Sequence, residues 1–270
     1  MTASHHYLLD GAMMNGIDSH LPAGQAMPAW LHPLADRDDP GAPFGAVLLD
    51  PLAAREAGQQ DLVETLCTAV PSSLHLSMIA STLTTAQMRA HLRQFSKILL
   101  GDREVFFLRF SDCRVLLVLS TVLTPGQWRA LTAPMARWDI HLRDGSRRAL
   151  PLGAADVAPT PPAWILDGEQ LAACMEAEEA DILLSQLGFT LDSMRGNIHR
   201  YWDTARRCVA SWQQYGAGNR QQLFNIARRV FQPDGEELRE KDLEAMFLAN
   251  PAPDSVHAGG GSLSMKEDTQ

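Results

Sequence analysis

The chain has 270 residues, of which 46% are hydrophobic and 20% are charged, and its formal net charge at pH 7 is -9. This composition is typical of a globular protein with a sizeable core. The acidic balance argues against nucleic acid and against a membrane surface as the main partner, because both require a basic binding surface. The N-terminus lacks a signal-peptide pattern, and no apolar run approaches the about 18 residues of a membrane span. The sequence therefore predicts a soluble, cytoplasmic protein.

Cysteine and histidine spacing argues against a metal site. The four cysteines are far apart and form no C-x-x-C pair, so we expect reduced thiols buried in the protein. No two of the nine histidines are spaced to place two ligands on one helix face, and we expect them to be structural or surface residues. The sequence thus predicts neither a metal nor a cofactor. The cysteines are Cys67, Cys113, Cys174 and Cys208.

Strand and helix signals alternate over residues 1–150. Two short apolar runs that end in Asp predict buried strands, and a Pro/Gly/Asp-rich segment between them is expected to be irregular. A helix and a further strand follow. In chain order, these predicted elements are the strand 7–10, the irregular segment 24–45, the strand 46–50, the helix 61–70 and the strand 74–79.

Capping and turn signals define the rest of this first domain. Thr84 with Gln87 forms a capping-box pattern, Asp112 can cap the next helix, and Thr124 before a proline begins another. Strand-like runs flank two turn signals and predict two hairpins. The hairpins comprise 98–100 with 105–110 around the turn 101–103, and 138–142 with 147–150 around Asp144-Gly145. The fold class predicted is mixed α+β, with a central mixed sheet in a domain spanning residues 1–150.

The remainder of the chain is predicted to be helical. Residues 151–163 carry four prolines and are predicted to form a linker. Residues 164–251 show the periodicity of about four helices, including a long one from Leu191 to Trp212 despite Gly196. Residues 252–270 can bury little apolar surface and are expected to be disordered. Three helix starts in this lobe have caps, at Asp167, Asn219 and Asp234.

No catalytic signature is present. The sequence lacks G-x-S-x-G, H-E-x-x-H, a P-loop and G-x-G-x-x-G, so we predict that the chain is not an enzyme. We interpret an acidic run as the solvated face of a helix rather than as a pair of glycosidase carboxylates. The run consists of Glu176, Glu178, Glu179 and Asp181.

Two alternatives remain open. The first is a hydrolase with a dispersed active site, because catalytic residues can be distant in sequence and still meet at strand ends. The second is a structural protein that forms an oligomeric scaffold. The residues that would build the hydrolase site are Asp10, Asp50, His75 and His141.

Residues 88–116 carry the most specific pattern. A helix beginning MRAHLR at Met88 precedes the first hairpin, and a strand and loop reading FLRFSDCRVL follow from Phe107. This stretch resembles the signature of the type VI secretion system effector adaptor chaperones of the Tap/Tec class, whose strand and loop read roughly F-R-F-Y-D-P-R-V-L. The resemblance covers residues 7–150. Arg109, Asp112 and Arg114 stand at the charged trio of the family, whereas Ser111 and Cys113 replace its Tyr and Pro.

The resemblance implies a non-enzymatic adaptor. Proteins of this family bind a cognate toxic effector and help to load it onto the VgrG spike. From the residues themselves, we expect Asp112 to cap the following helix and to pair with Arg109 or Arg114, which would lock the turn. The aromatic residues of the helical lobe can be core or interface anchors, and aromatics with Arg dominate binding hot spots. The candidate partner-binding residues are Arg200, Trp202, Arg206, Arg207 and Trp212.

Overall fold

The computed structural model divides into two compact units, residues 1–202 and residues 203–270. The predicted α+β class is confirmed: the first unit holds a six-stranded sheet with helices, and the elements described in the second unit are helices. The predicted linker at 151–163 and tail at 252–270 fall partly or wholly outside the described residues and stay predictions. The structure describes residues 4–14, 16–23, 26–36, 39, 45–99, 105–156, 158, 165–215, 219–232 and 240–249.

The described strands form two antiparallel sheets. In the larger sheet the strand order is β2-β3-β1-β4-β7-β8, and each neighbouring pair is antiparallel. In the smaller sheet β5 pairs with β6. β2 lies within the segment that the sequence predicted to be irregular. The strands are β1 Ser4–Asp10, β2 Leu31–Pro33, β3 Ala46–Leu49, β4 Leu76–Ser81, β5 Lys97–Leu99, β6 Val105–Phe107, β7 Met135–His141 and β8 Arg147–Ala149.

Five of the described helices begin where the sequence predicted caps. Thr84, Thr124 and Asp167 each form a capping box with the Gln three residues later. The caps predicted at Asp112 and Asn219 are also confirmed. The predicted turn at 101–103 and the cap at Asp234 lie outside the described residues. The helices are α1 Pro51–Glu56, α2 Gln60–Ala69, α3 Thr85–Arg93, α4 Cys113–Val122, α5 Pro125–Thr132, α6 Gly168–Gln186, α7 Ile198–Tyr215, α8 Arg220–Val230 and α9 Glu240–Ala249.

The long helix begins later than its apolar spacing indicated. α7 starts at Ile198. Gly196, two residues earlier, adopts φ 81°, a left-handed conformation that interrupts the helical backbone, so the helix begins only after it. Before it, Thr190 and Ser193 exchange hydrogen bonds in a turn. Met194 is nevertheless buried, so this turn continues the apolar pattern without being helical.

A hydrophobic cluster lies on each face of the large sheet. On one face, Ile79, Trp138 and Ile140 are buried with residues of α3, α4 and α5. On the other face, Leu9 and Leu49 are buried with residues of α1 and α2. The sheet is therefore the central layer of the first unit.

Candidate functional site

Asp112 and Arg114 of the motif form a closed pair at the start of α4. The Arg114 backbone N–H donates to Asp112 Oδ1 at 2.9 Å, which confirms the predicted cap. The Arg114 guanidinium turns back to the same carboxylate, with Nε 3.0 Å from Oδ1 and Nη2 2.6 Å from Oδ2. Asp112 is only 1% exposed, so this bidentate pair is shielded from water.

Arg109 ties the motif loop to strand β1. Its Nη2 donates to Asp10 Oδ2 at 2.5 Å, whereas it lies 3.9 Å from Asp112. Asp10 is fully buried at the end of β1, where its Oδ1 also accepts from the Ala12 backbone N–H at 3.3 Å. The loop between β6 and α4 is thus held against the large sheet.

His75 lies between the two buried carboxylates. Its Nδ1 is 3.3 Å from Asp10 Oδ2 and 3.8 Å from Asp112 Oδ2, and the ring is fully buried. Two of the four residues of the hydrolase alternative, Asp10 and His75, therefore meet. Asp50 does not join them, because β3 ends opposite Tyr7 of β1, away from Asp10, and Asp50 there caps α1 and accepts from Thr85 Oγ1 at 2.6 Å. His141 Nδ1 instead donates to the Leu76 carbonyl at 3.0 Å.

Asp10, His75 and Asp112 lie close enough together to hold a metal ion, but the carboxylate oxygens of the two aspartates already accept hydrogen bonds. Ligand atoms of Asp10, His75 and Asp112 lie within 4.8 Å of one another. Asp10 Oδ2 accepts from Arg109, and Asp112 Oδ2 accepts from Arg114. A cation would have to displace two guanidinium groups that already neutralise both carboxylates. This set of donors fits an internal ion-pair network better than it fits a metal ion.

The network extends to α6 and corrects the interpretation of the acidic run. Asp181 is not on a solvated face: its Oδ1 accepts from Arg114 Nη1 at 3.2 Å, and its Oδ2 accepts from Arg143. The reason is that α6 packs against α4, which turns this part of α6 inward. The guanidinium of Arg143 in turn lies 4.3 Å from the ring centroid of Trp202, a cation–π contact. We call this set the buried charge network after its three buried central members, Asp10, His75 and Asp112. The full set is Asp10, His75, Arg109, Asp112, Arg114, Arg143 and Asp181, of which Arg109 has a side chain that is 43% exposed.

The network keeps its two innermost carboxylates ionised. Burial acts to raise the pKa of Asp10, but hydrogen bonds from His75 and Arg109 outweigh it, and the pKa lies below its ordinary value. For Asp112, burial is likewise outweighed by hydrogen bonds and charge from Arg114, so its pKa is also lowered. The ionised forms are therefore the ones that the fold stabilises.

We expect the free energy of unfolding to fall as the pH drops below about 4. Because the pKa of each carboxyl is lower when folded than its unfolded value of about 3.9, the unfolded chain binds protons first. The stabilisation is complete above the unfolded pKa and is lost as the pH falls through the folded pKa. Urea unfolding at a series of pH values tests this. Asp10→Asn should make the decrease in stability below about pH 4 less steep than in the unmodified chain. An unchanged pH dependence in Asp10→Asn would contradict the assignment.

The partner-binding residues predicted on α7 differ in their surroundings. Arg206 and Arg207 pair with Asp203 at 3.1 Å and 3.3 Å, and Trp212 is half-buried and donates to the Asn219 carbonyl at 3.0 Å. At about 100° per residue, these two arginines and Trp212 point in three directions around the helix. Arg200 is exposed, and the Trp202 ring packs on Arg143. Their role in binding stays a prediction.

An exposed apolar surface lies immediately before the motif, and sequence patterns did not single it out. Val105 is 57% exposed and Phe107 52% exposed on β6. Leu99 of β5 lies opposite Val105 and also forms a parallel bridge with Ile165, which is 57% exposed. Directly opposed residues share a face of a sheet, so Ile165, Leu99 and Val105 lie on one face. Phe107 lies on the same face opposite Lys97, whose ammonium is 5.0 Å from the centre of the Phe107 ring. We call Leu99, Val105, Phe107 and Ile165 the hairpin patch. Its signal in the sequence is an apolar strand, VFF, with no polar alternation.

Comparison with known proteins gives one match. Among the described residues, no helix has both the length and the apolar composition needed to cross a bilayer. No curated protein and no solved structure matches the chain. Residues 6–130 match the family described as Domain of unknown function (DUF4123), a segment that includes most of β1, the motif loop and α4.

Proposed function

We propose that the chain is a cytoplasmic, non-enzymatic adaptor chaperone of a type VI secretion system. It binds a cognate toxic effector and helps to load it onto the VgrG spike, and so serves competition between bacteria. The observation that carries the proposal is the hairpin patch, an exposed apolar surface that leads directly into the motif. The resemblance to adaptor chaperones covers residues 7–150 and the family match covers residues 6–130, so both point to the same part of the chain.

The buried charge network supports a structural role for the motif. A catalytic group must reach its substrate, whereas Asp10 and His75 are fully buried and Asp112 is 1% exposed. The charges of the network are instead directed at one another. Because Arg109 anchors the loop that follows β6, the network fixes the base of the hairpin and with it the position of the patch.

The hairpin patch has the chemistry of a protein-binding surface. In the small sheet β6 has no neighbour besides β5 among the described residues, so its outer backbone groups are open to an added strand. Phe106, 43% exposed, lies on the other face of the same strand. Contiguous exposed apolar side chains mark an interaction surface, and aromatic residues are frequent anchors. We therefore assign an extended apolar segment of the effector to this edge.

Co-expression with the protein encoded immediately downstream tests the proposal. We expect the tagged chain to retain that protein at a defined ratio. The double substitution Val105→Glu and Phe107→Glu should lower the recovered partner at least about tenfold, because it places charge against an apolar segment. Met175→Glu is the matched control, since Met175 is 59% exposed on α6 and lies outside the patch.

Each outcome has a distinct meaning. Partner recovery that is unchanged in the double variant would remove the patch from the interface and leave the adaptor role. A clean chain that retains neither the downstream protein nor VgrG would overturn the adaptor role. A stable homo-oligomer that is indifferent to both would favour the scaffold alternative.

Reversing the charges of the α7 arginines tests the second surface. We expect Arg200→Glu, Arg206→Glu and Arg207→Glu together to weaken partner recovery less than the hairpin variant does. The reason is that two of these arginines pair with Asp203 within the chain, and exposed pairs contribute little free energy. Unchanged recovery with an intact circular dichroism spectrum would exclude α7 from the interface.

A further inference from the structure

One half of the large sheet is covered on only one face. Along β4, Ser77 and Ile79 are buried, whereas Leu76 and Met78, which alternate with them, are partly exposed. β7 shows the same alternation, with buried Trp138 and Ile140 and partly exposed residues between them. α1 and α2 pack over the β1–β3 half of this second face. Within the described part of the first unit, α1 and α2 are the helices that pack on this face, and neither packs closely over β4, β7 or β8.

A groove runs along the boundary between α1, α2 and the uncovered half-sheet. Its volume is about 560 Å³. Tyr7, Leu76 and Met78 form an apolar floor, and Leu52 stands on the α1 side with 53% of its surface exposed. A leucine this exposed beside an apolar floor is typical of a surface that another chain covers.

The rim of the groove is basic, although the chain as a whole is acidic with a net charge of -9. Arg55 lies on one side and Arg147 on the other, and within the described residues neither guanidinium forms an ion pair. Arg147 contacts the Met78 sulfur at 3.7 Å. Two carboxylates lie nearby and are already partnered: Glu64 accepts from the amide of Gln60 at 3.3 Å, and Asp139, opposite Met78 on β7, pairs with Arg137 at 2.7 Å. The groove therefore complements a ligand that combines apolar and acidic groups.

The size of the uncovered half-sheet fits one helix. From β4 to β8 there are two strand spacings, about 10 Å in total, and an α-helix with its side chains is about 10 Å across. A helix lying there, beside α2, would complete the helical layer on this face and bury the apolar floor.

We propose that this groove binds an amphipathic helix of another protein, with its apolar face on Tyr7, Leu76 and Met78 and its acidic residues at Arg55 and Arg147. The surface is separate from the hairpin patch: Ile98 of β5 belongs to the hydrophobic cluster on the opposite face of the sheet. An adaptor that joins an effector to a spike needs two such surfaces, but the proposal does not depend on that function.

A designed peptide tests the groove without any partner protein. The probe is a fluorescein-labelled helix of about 18 residues, long enough at about 27 Å to follow the groove, with Leu on one face and Glu on the other. A second peptide carries Lys in place of Glu. By fluorescence anisotropy with the full chain, we expect the Glu peptide to bind at least about tenfold more tightly than the Lys peptide.

Variants then locate the site. Arg55→Glu with Arg147→Glu should reverse the preference between the two peptides, and Leu52→Ser should weaken the Glu peptide without altering charge. Arg148→Glu is the matched control, because Arg148 is exposed on the same strand but points to the other face. Equal binding of both peptides, no binding of the Glu peptide, or an equal loss in Arg148→Glu would overturn the proposal. The adaptor role is tested separately, by the co-expression and co-purification experiment.

Discussion

Replacing Asp112 with alanine is expected to lower the free energy of unfolding by about 3–5 kcal/mol, the cost of removing one partner of a buried ion pair. Three interactions are lost together: the cap of α4, the bidentate bond to Arg114, and the charge near His75. Because the Arg114 side chain is only 23% exposed, water cannot fully hydrate its charge once the Asp112 carboxylate is removed. Urea unfolding followed by circular dichroism measures the change.

Two further variants separate the causes. Asp112→Asn keeps an oxygen for the cap and loses the charge, so its cost should be smaller than that of alanine. Asp139→Ala is the surface control, because Asp139 pairs with Arg137, whose side chain is 64% exposed, and such pairs contribute less than about 1 kcal/mol. Equal losses for Asp112→Ala and Asp139→Ala would show that the buried charge network does not stabilise the fold.

The sequence predicted local structure well where the interaction is itself local. The capping boxes at Thr84, Thr124 and Asp167 join residues three apart, and all three are present. The hairpin around Asp144-Gly145 also formed, with Gly145 at φ 82°, a conformation that suits glycine. Signals of this kind depend on neighbouring residues and so survive in any tertiary context.

Contacts distant in sequence could not be predicted in the same way. Arg109 and Asp10 are separated by 99 positions, and their pairing depends on how the motif loop lies on the sheet. The exposure of Val105 and Phe107 likewise depends on whether another segment of the chain packs over them. The hydrophobic periodicity of the sequence does not predict such packing. The sequence therefore predicted that Asp112 would be paired, but not that the pair extends into a network through β1 and α6.

Asp181→Ala is the second large effect that we expect, with a loss of about 2 kcal/mol. Asp181 serves both Arg114 and Arg143, and the Arg143 side chain is 13% exposed, so its charge would be left nearly unhydrated. Because Asp181 itself is 28% exposed, we expect less than the full cost of a buried pair. A double-mutant cycle with Arg143→Ala should give a coupling free energy of about 1 kcal/mol or more.

A neighbouring carboxylate on the same helix provides the control. Partial burial raises the pKa of Glu178, and the charge of Asp181 raises it further. Folding therefore does not stabilise the ionised form of Glu178. We expect Glu178→Ala to change the free energy of unfolding by less than about 0.5 kcal/mol. Equal losses in Glu178→Ala and Asp181→Ala would restore the interpretation of the run as a solvated face. If the losses differ as expected, Asp181 ties α6, which lies outside the matched segment 6–130, to Arg114 within that segment and to Arg143 beyond it. The motif would then fix both the hairpin before it and α6 after it, and the folding unit would extend beyond the matched domain.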